Sequence, residues 1–258
     1  TITIANGDDT VYGGAGDDGI TLSGTGTDAM YGQAGDDTFT VGTASQLTNA
    51  DTVDGGDGDD TLAITLAGAT VAPTTTSVET VTATYGATTG GAINLGNASG
   101  ATKLNLASSA NATTATAINL ADGITVDVTD ANTDTIVLDA AAGGSMNLTY
   151  DAASGTSTTI SDAVGVTIAS GAAAGDATAM AFDDTDTLSL AVNATTFSID
   201  TGNVTATSAM TSLSASTTTA GATVTVGTVA EVEALTSLTL TASNGDVTMG
   251  ALGGTGVA

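Results

Sequence analysis

Residues 13–20 read GGAGDDGI, in which three glycines precede two adjacent aspartates and an aliphatic residue ends the stretch. Glycine at this density disfavours a helix, because it loses more conformational entropy on ordering than any other residue. Two neighbouring carboxylates disfavour a buried strand, since Asp is seldom buried without a partner. The stretch therefore predicts an acidic turn that leads into a short strand at Ile20.

The same unit recurs along the first part of the chain. The recurring segments are NGDDTV (6–11), GGAGDDGI (13–20), SGTGTDAM (23–30), GQAGDDTF (32–39) and GGDGDDTL (55–62). Between the last two, TNADTV (48–53) places Asp51 nine residues before Asp60 and repeats the aspartate and aliphatic positions. We interpret it as a sixth repeat, in which residues 42–49 form a loop insertion.

A unit of about nine residues cannot close by itself, so two units are expected to form one coil of a flattened solenoid. Successive turns then fall on alternate edges. Asp9, Asp28 and Asp51 are predicted on one edge, and Asp18, Asp37 and Asp60 on the other. Side chains alternate between faces along a strand, which predicts an inward row of Val11, Ile20, Met30, Phe39, Val53 and Leu62.

Stacked coils bring the carboxylates of neighbouring turns together. Two such charges about 5 Å apart repel by roughly 3 kcal/mol at an effective dielectric constant of 20. A hard divalent cation between the turns reverses the sign of this interaction, because Ca²⁺ takes carboxylate and backbone carbonyl oxygens in flexible geometry. The pattern therefore predicts several Ca²⁺ ions between the acidic turns.

The repeat resembles the RTX (repeats-in-toxin) nonapeptide G-G-x-G-x-D-x-U-x, where U is a large apolar residue. This resemblance implies a parallel β-roll in which the sixth-position aspartates supply side-chain oxygens and the glycines supply carbonyls. The implied metal-site residues are Asn6, Gly7, Asp9, Gly14, Gly16, Asp18, Gly26, Asp28, Gly35, Asp37, Asp51, Gly56, Gly58 and Asp60. Asp8, Asp17, Asp36 and Asp59 occupy a variable position and are expected to face solvent. Ser23 and Gln33 depart from the pattern because they replace repeat glycines.

After Leu62 the motif gives way to short alternating segments such as TLAITLAG, TKLNLAS and SLTLTAS. Their period of two predicts an all-β region. We therefore divide the chain into a calcium-binding β-roll (1–62) and a Thr/Ala-rich β-solenoid region (63–258). A β-sandwich is the alternative for the second part, although the scarcity of aromatic residues favours the solenoid.

Four asparagines and one glutamate of this region also allow predictions about their positions. Asn94, Asn105, Asn119 and Asn147 each lie in a similar context close to a leucine. They either stack as asparagine ladders or face solvent in turns. Glu79, in SVETV, is expected on a solvated strand face.

Composition narrows the classes of function. The chain of 258 residues has 28 acidic residues, one basic residue (Lys103), no His and no Cys, and a net charge of −27. Nucleic-acid binding is disfavoured because it needs cationic contacts to phosphate. Catalysis is not expected, since the sequence has no Arg and lacks the His of triad and zinc sites. No apolar run approaches a membrane span. The chain has no initiator Met, and we expect it to be a fragment of a longer exported protein.

The texture of the whole chain is similar to RTX-type bacterial surface-layer (S-layer) proteins. That resemblance implies a structural protein, secreted by a type I route, that self-assembles with calcium at the bacterial cell surface into a homo-oligomeric lattice or filament. The alternative is a stalk or binding segment of an RTX adhesin. Any cell-surface glycan anchor is expected elsewhere in the full chain.

Overall fold

Strands provide nearly all of the regular structure. The computed structural model describes residues 1–85, 90–108, 114–130, 135–152, 156–170, 175–182, 187–192, 196–199, 204–206, 211–217, 223–226, 229–230 and 235–253. The strands are β1 (Ile2–Ile4), β2 (Thr10–Ala15), β3 (Gly19–Leu22), β4 (Ala29–Ala34), β5 (Thr38–Val41), β6 (Thr52–Asp57), β7 (Thr61–Leu66), β8 (Thr70–Val71), β9 (Thr75–Thr76), β10 (Thr80–Tyr85), β11 (Gly91–Asn94), β12 (Lys103–Ser108), β13 (Thr114–Leu120), β14 (Ile124–Asp130), β15 (Thr135–Ala152), β16 (Thr156–Ser170), β17 (Gly175–Phe182), β18 (Thr187–Val192), β19 (Thr196–Ile199), β20 (Val204–Ala206), β21 (Ser212–Thr217), β22 (Thr223–Val226), β23 (Val229–Ala230), β24 (Ser237–Ala242), β25 (Asp246–Met249) and β26 (Leu252–Gly253). A 3₁₀ turn, Ala44–Gln46, lies in the predicted loop insertion.

Each strand pairs in parallel with the strand one coil further along the chain. Ile20 is in register with Phe39, and Phe39 is in register with Leu62. The coil spans 19 residues from Asp9 to Asp28 and 23 residues from Asp28 to Asp51, and a later one spans 25. This stack of parallel coils is a β-solenoid, which confirms the predicted fold class in the described part of the chain. The alternative of a β-sandwich for the second part is wrong there.

The alternation of side chains explains why these short segments form coils. In β7, Leu62, Ile64 and Leu66 are buried, whereas the intervening threonines and alanine are only half-buried. The next strand in the stack, β10, repeats the pattern with Val81, Ala83 and Tyr85 inward. β-Branched residues on the outward positions suit a pleated surface that is partly covered. The core is consequently a thin column of mainly aliphatic side chains between the faces of the coil, with Phe39 and Tyr85 among its largest members.

Five of the six predicted inward residues are buried, namely Ile20, Met30, Phe39, Val53 and Leu62. Val11 packs against this core but is only partly buried. Its strand, β2, is the first in its sheet and is paired on one side only, with β4. The difference thus comes from position in the stack and not from the repeat pattern.

The sheet runs through the boundary that we place between residues 62 and 63. Strand β7 contains that boundary and pairs with β5 on one side and with β10 on the other. The two segments therefore share one core and one sheet. Their division into two domains stays a prediction based on composition.

The four asparagines do not form a single stack. The side-chain amide of Asn119 donates to Asn94 Oδ1 at 2.9 Å, one coil apart. Asn105 instead donates to the hydroxyl of Thr82, and Asn147 lies exposed near the carbonyl of Gly123. Of these four asparagines, only Asn94 and Asn119 therefore stack on each other.

Candidate metal centre

The glycine-rich turns have a conformation that few residues other than glycine adopt. Gly14, Gln33 and Gly56 are in register on successive coils, and their φ values are 112°, 85° and 107°. Gln33 is one of the departures from the repeat, yet it keeps the left-handed backbone of the glycines above and below it. Such a conformation is strained for a residue with a side chain, so the surrounding turns must hold it in place.

The sixth-position aspartates stack along two edges of the solenoid, as their spacing predicts. On the first edge, the backbone N–H of Asp9 donates to Asp28 Oδ1 at 2.9 Å, and that of Asp28 donates to Asp51 Oδ1 at 2.6 Å. On the second edge, the N–H of Asp18 donates to Asp37 Oδ1 and that of Asp37 to Asp60 Oδ1, both at 2.7 Å. We call these two rows of side chains the aspartate ladders.

One oxygen in several ladder carboxylates has no hydrogen-bond partner. Asp28, Asp37 and Asp60 are at most 1% exposed. In each of them Oδ1 accepts a backbone N–H, while the buried Oδ2 has no partner. A buried charged oxygen without a partner is strongly unfavourable. The side chains are therefore in an arrangement that a cation would stabilise.

Backbone carbonyls lie close to two of these unpartnered oxygens, those of Asp37 and Asp60. A side chain at Gly32 would collide with both Asp37 Oδ2 and the carbonyl oxygen of Gly55. A side chain at Gly55 would collide with Asp60 Oδ2 and the carbonyl oxygen of Ser77. Because Gly32 and Gly55 have no Cβ, a carboxylate oxygen and a carbonyl oxygen of the next coil can come together against the backbone at each of them. Oxygen donors of both kinds are the ligands that Ca²⁺ takes in proteins.

The sequence prediction did not include Gly32, Gly55 or Ser77. It assigned the carbonyl ligands to other glycines of the repeat. The signal that could have identified the first two is their constant position five residues before Asp37 and Asp60. Ser77 gives no comparable signal, because it lies outside the glycine-rich units.

The predicted glycines lie in the same turns, where their backbones stack closely. A side chain at Gly26 would collide with the carbonyl of Gly7, and one at Gly58 with the carbonyl of Gly35. Gly16 also stacks, since its N–H donates to the Ala34 carbonyl. These contacts bring successive turns together, and the assignment of these carbonyls as metal ligands stays a prediction.

The outer aspartates face solvent, as expected. Asp8, Asp17, Asp36 and Asp59 are all exposed. Asp17 Oδ1 accepts the N–H of Asp36, and Asp36 Oδ1 accepts the N–H of Asp59. Asn6, three residues before Asp9, is also exposed, and its Oδ1 accepts the N–H of Thr25 on the next coil at 3.1 Å. Its side-chain oxygen therefore already has a partner.

Asp51 differs from the other ladder aspartates. Its Oδ2 accepts the backbone N–H of Thr48 at 2.6 Å and the hydroxyl of Thr48 at 3.0 Å. Asp51 also lacks the upstream glycines that the other repeats carry. Hydrogen bonds from Thr48 thus satisfy the oxygen that is unpartnered in Asp28. The first ladder accordingly ends at Asp51 without a free carboxylate oxygen.

The ladders are electrostatically unfavourable without a cation. Burial is the main cause that raises the pKa of Asp28 above its ordinary value, and the charges of Asp51, Asp9 and Asp8 add to it. Burial likewise raises the pKa of Asp60, with further repulsion from Asp37, Glu79 and Asp36. Hydrogen bonds from backbone N–H groups oppose the shift in both cases.

Glu79 is placed differently from the sequence expectation, which put it on a solvated strand face. The expectation is wrong, since Glu79 is half-buried and its Oε2 accepts the N–H of Asp60 at 2.8 Å. It therefore occupies the position that Asp60 holds relative to Asp37. Local sequence concealed this role, because SVETV contains no repeat glycine.

The donors in these turns are pairs of carboxylates with backbone carbonyls. Among the residues that the structure describes, no group of three or more His, Cys, Asp or Glu side chains is placed to hold a metal ion. The second ladder nevertheless fits calcium, because the buried unpartnered oxygens of Asp37 and Asp60 each lie close to a backbone carbonyl oxygen. The arrangement defines a class of oxygen-lined cation sites repeated along a solenoid.

Residues 5–24, 22–43 and 48–63 match the family model of the RTX calcium-binding nonapeptide repeat (4 copies). These ranges contain all six ladder aspartates, so the match identifies this part of the chain as RTX calcium-binding repeats. Repeats of this family bind calcium, which supports Ca²⁺ as the ion, and they are found in secreted proteins. No curated protein and no solved structure matches the chain.

A secreted calcium-binding structural protein is the function that the repeats and the solenoid together support. The described ranges contain no helix with the length and apolarity that a membrane span requires.

Proposed function

We propose that this protein is an extracellular structural protein of the bacterial cell surface, which folds with calcium and then self-assembles into a surface layer or filament. Calcium enters between successive acidic turns, and the solenoid that it stabilises is the assembly unit. Export by a type I route fits this scheme, because the chain is then translocated unfolded. Its activity is structural, and we assign it no catalytic step.

The observation that carries the proposal is the set of buried, unpartnered oxygens on Asp28, Asp37 and Asp60. They lie in a chain with a net charge of −27 and a single basic residue. The Lys103 ammonium cannot neutralise the ladders, since it pairs with Asp127 at 2.6 Å in a later coil. The compensating charge must therefore come from outside the polypeptide.

Calcium binding and folding are coupled in this scheme. Where free calcium is scarce, repulsion between carboxylates opposes the burial of Ile20, Met30 and Phe39. Extracellular calcium modules have dissociation constants of about 10⁻⁴ to 10⁻³ M, so the sites fill only outside the cell. Ligand that binds the folded form alone stabilises it by mass action. Folding of the first coils is consequently delayed until the chain has been exported.

Circular dichroism tests the coupling. Addition of Ca²⁺ to the chelator-treated full chain is expected to increase the far-UV β-sheet signal, with a midpoint at the dissociation constant. Mg²⁺ at the same concentration is the matched control, and its effect is expected to be smaller because Mg²⁺ demands octahedral geometry and keeps its water. A far-UV spectrum that Ca²⁺ leaves unchanged would contradict the proposal.

Assembly requires a separate measurement. Electron microscopy of the protein at saturating Ca²⁺ is expected to show ordered sheets or filaments, and the chelated protein is expected to show none. Single rods in calcium, at concentrations well above the dissociation constant, count against the surface layer.

The alternative function is the stalk or binding segment of an RTX adhesin. An exposed aromatic pair favours it: the rings of Tyr12 and Tyr31 stack with centroids 5.0 Å apart, and Tyr12 is 58% exposed. Exposed tyrosines are typical of binding surfaces, because the ring is apolar and the hydroxyl is polar. Asp54 and Asp57 line the same depression. Monomeric rods that bind a glycan in calcium, and lose binding in Tyr12→Ala, would support the adhesin.

A further inference from the structure

We propose that the second aspartate ladder extends one coil beyond the RTX repeats, where Asp60, Glu79 and the Ser77 carbonyl form an additional calcium site. The family match ends at residue 63, so neither Ser77 nor Glu79 belongs to the repeats. This inference rests on the proposed calcium-dependent folding and adds a specific site to it.

The hydrogen bonding of Glu79 repeats that of the ladder aspartates. Asp60 Oδ1 accepts the N–H of Asp37 at 2.7 Å, and Glu79 Oε2 accepts the N–H of Asp60 at 2.8 Å. The flanking strands continue in register, since Thr61 aligns with Thr80 and Leu62 with Val81. Glu79 therefore places its carboxylate over Asp60 just as Asp60 places its carboxylate over Asp37.

The space between Asp60 and the next coil has the same lining as the site between Asp37 and Asp60. In the lower site, between Asp37 and Asp60, Asp37 Oδ2 and the Gly55 carbonyl oxygen come together at the point that a Cβ of Gly32 would occupy. In the upper site, between Asp60 and Glu79, Asp60 Oδ2 and the Ser77 carbonyl oxygen come together in the same way at the point that a Cβ of Gly55 would occupy. Asp60 Oδ2 is fully buried and has no hydrogen-bond partner.

The chain reaches this geometry with a different turn. Val53 and Asp54 align with Thr75 and Thr76, so the upper turn is shorter than the glycine-rich turn below it. Ser77 takes a left-handed conformation with φ of 48°, as the repeat glycines do. The longer side chain of glutamate then carries its carboxylate to the position of the ladder.

The ladder ends immediately after this coil. Thr102 follows in the stack, and its N–H donates to the backbone carbonyl of Glu79 at 2.9 Å. Threonine has no carboxylate with which to continue the row. Glu79 is thus the last acidic position of the second ladder.

The test is a count of bound Ca²⁺ on the full chain by native mass spectrometry and isothermal titration calorimetry. Glu79→Gln is expected to bind one ion fewer than the wild type, because the amide removes the negative charge but keeps an acceptor for the Asp60 N–H. Asp59→Asn is the matched control: it removes one charge from the exposed neighbour of Asp60 and is expected to retain every ion. An unchanged count and affinity in Glu79→Gln would overturn the inference.

A crystal structure of the calcium-loaded wild type provides a test that needs no variant to fold. An ion between Asp60 Oδ2 and the Ser77 carbonyl is expected from its anomalous signal. Ions between Asp37 and Asp60 without one at Asp60 and Glu79 would refute this inference and leave the proposed function intact. Failure of the wild type to bind any Ca²⁺ would refute both.

Discussion

The first coils and the later coils share one geometry but satisfy their turns by different chemistry. In the first coils, the turns carry buried carboxylates whose Oδ2 atoms have no partner. In a later coil, Asp122 is exposed and its Oδ1 accepts the hydroxyl and the N–H of Ser145 at 2.7 and 2.8 Å. Asp139 similarly accepts the hydroxyl of Ser161. The later turns are therefore closed by hydrogen bonds within the chain, whereas the first turns keep buried oxygens that fit a cation.

The change of chemistry occurs without a break in the sheet. Strand β10 pairs with β7 of the glycine-rich coils and with β12 of the later coils. The core side chains remain aliphatic and buried on both sides, from Leu62 to Val81 and Leu104. The buried carboxylates are thus a property of the turns, whereas the strands and the core are common to both regions, and on the proposed function only the turns depend on calcium.

The largest expected effect of this difference is on local stability when calcium is removed. Loss of an ion present at one hundred times its dissociation constant costs about 2.7 kcal/mol for each site, or about a hundredfold in the protection of an amide that exchanges by local opening. The backbone N–H groups of Asp28 and Asp37 are expected to lose this protection in chelator. Those of Val126 and Val128 in β14 are expected to change far less. Native-state hydrogen exchange measures both sets.

This prediction holds only if the first coils can open while the later coils stay folded. Solenoid coils contact mainly their neighbours, so one end can open while the other remains folded. An equal loss of protection in β14 and in the aspartate ladders would show that calcium stabilises the whole chain as one unit. The different turn chemistry of the two regions would then make no difference to their local stability.

A substitution at the first glycine of a turn is expected to have the next largest effect. Alanine at Gly32 would place a methyl group against Asp37 Oδ2 and the Gly55 carbonyl, where the backbone must move. Overpacking of this kind costs about 1–3 kcal/mol, and Gly32→Ala is also expected to weaken calcium binding. Urea unfolding in calcium measures the free energy, and calorimetry measures the binding.

Gly19 provides the matched control on a neighbouring strand of the same repeats. A methyl group there would approach only the side chain of Thr1, with 3.3 Å to its hydroxyl oxygen. Replacement of a strand glycine by alanine stabilises by about 0.5–1 kcal/mol. The two substitutions are therefore expected to have opposite signs, and equal destabilisation by both would contradict the role assigned to the space beside Gly32.

Much of this arrangement could be predicted from the sequence, because the repeat fixes the spacing of the aspartates. The pairing of Asp18 with Asp37 and Asp60, the burial of Phe39 and the position of the inserted loop all follow from a unit of about nine residues. The solenoid in the later coils followed from alternation and from the scarcity of aromatic residues.

Glu79 and Ser77 could not be predicted, because their role depends on register between coils and not on local sequence. The turn that contains them lacks the repeat glycines, and glutamate replaces aspartate. The asparagines illustrate the same limit: Asn119 contacts Asn94, whereas Asn105 contacts Thr82. Similar short motifs thus acquire different partners when the coil length changes.

The smallest expected effect is a difference in pH dependence between the regions in calcium-free buffer. The pKa values of Asp28 and Asp60 are raised by burial, so the folded form binds protons more tightly than the unfolded form. Above these pKa values, the negative charges on the Asp28 and Asp60 carboxylates destabilise the fold. The first coils are therefore expected to gain stability as the pH falls from 7 through the raised pKa values.

The pKa of Asp122 is shifted in the opposite direction, because the hydroxyl and N–H of Ser145 lower it. Its stabilising contribution is present above the ordinary aspartate pKa of about 3.9 and is lost as the pH falls through the lowered value. Hydrogen exchange measured from pH 7 down to the ordinary aspartate pKa is thus expected to show a gain in the aspartate ladders and no loss around Asp122. Asp28→Asn should reduce the gain and Asp122→Asn should not, since only the first removes a buried charge. A loss of protection at Asp28 on acidification without calcium would contradict this prediction. It would mean that the folded chain favours the charged form of the carboxylate.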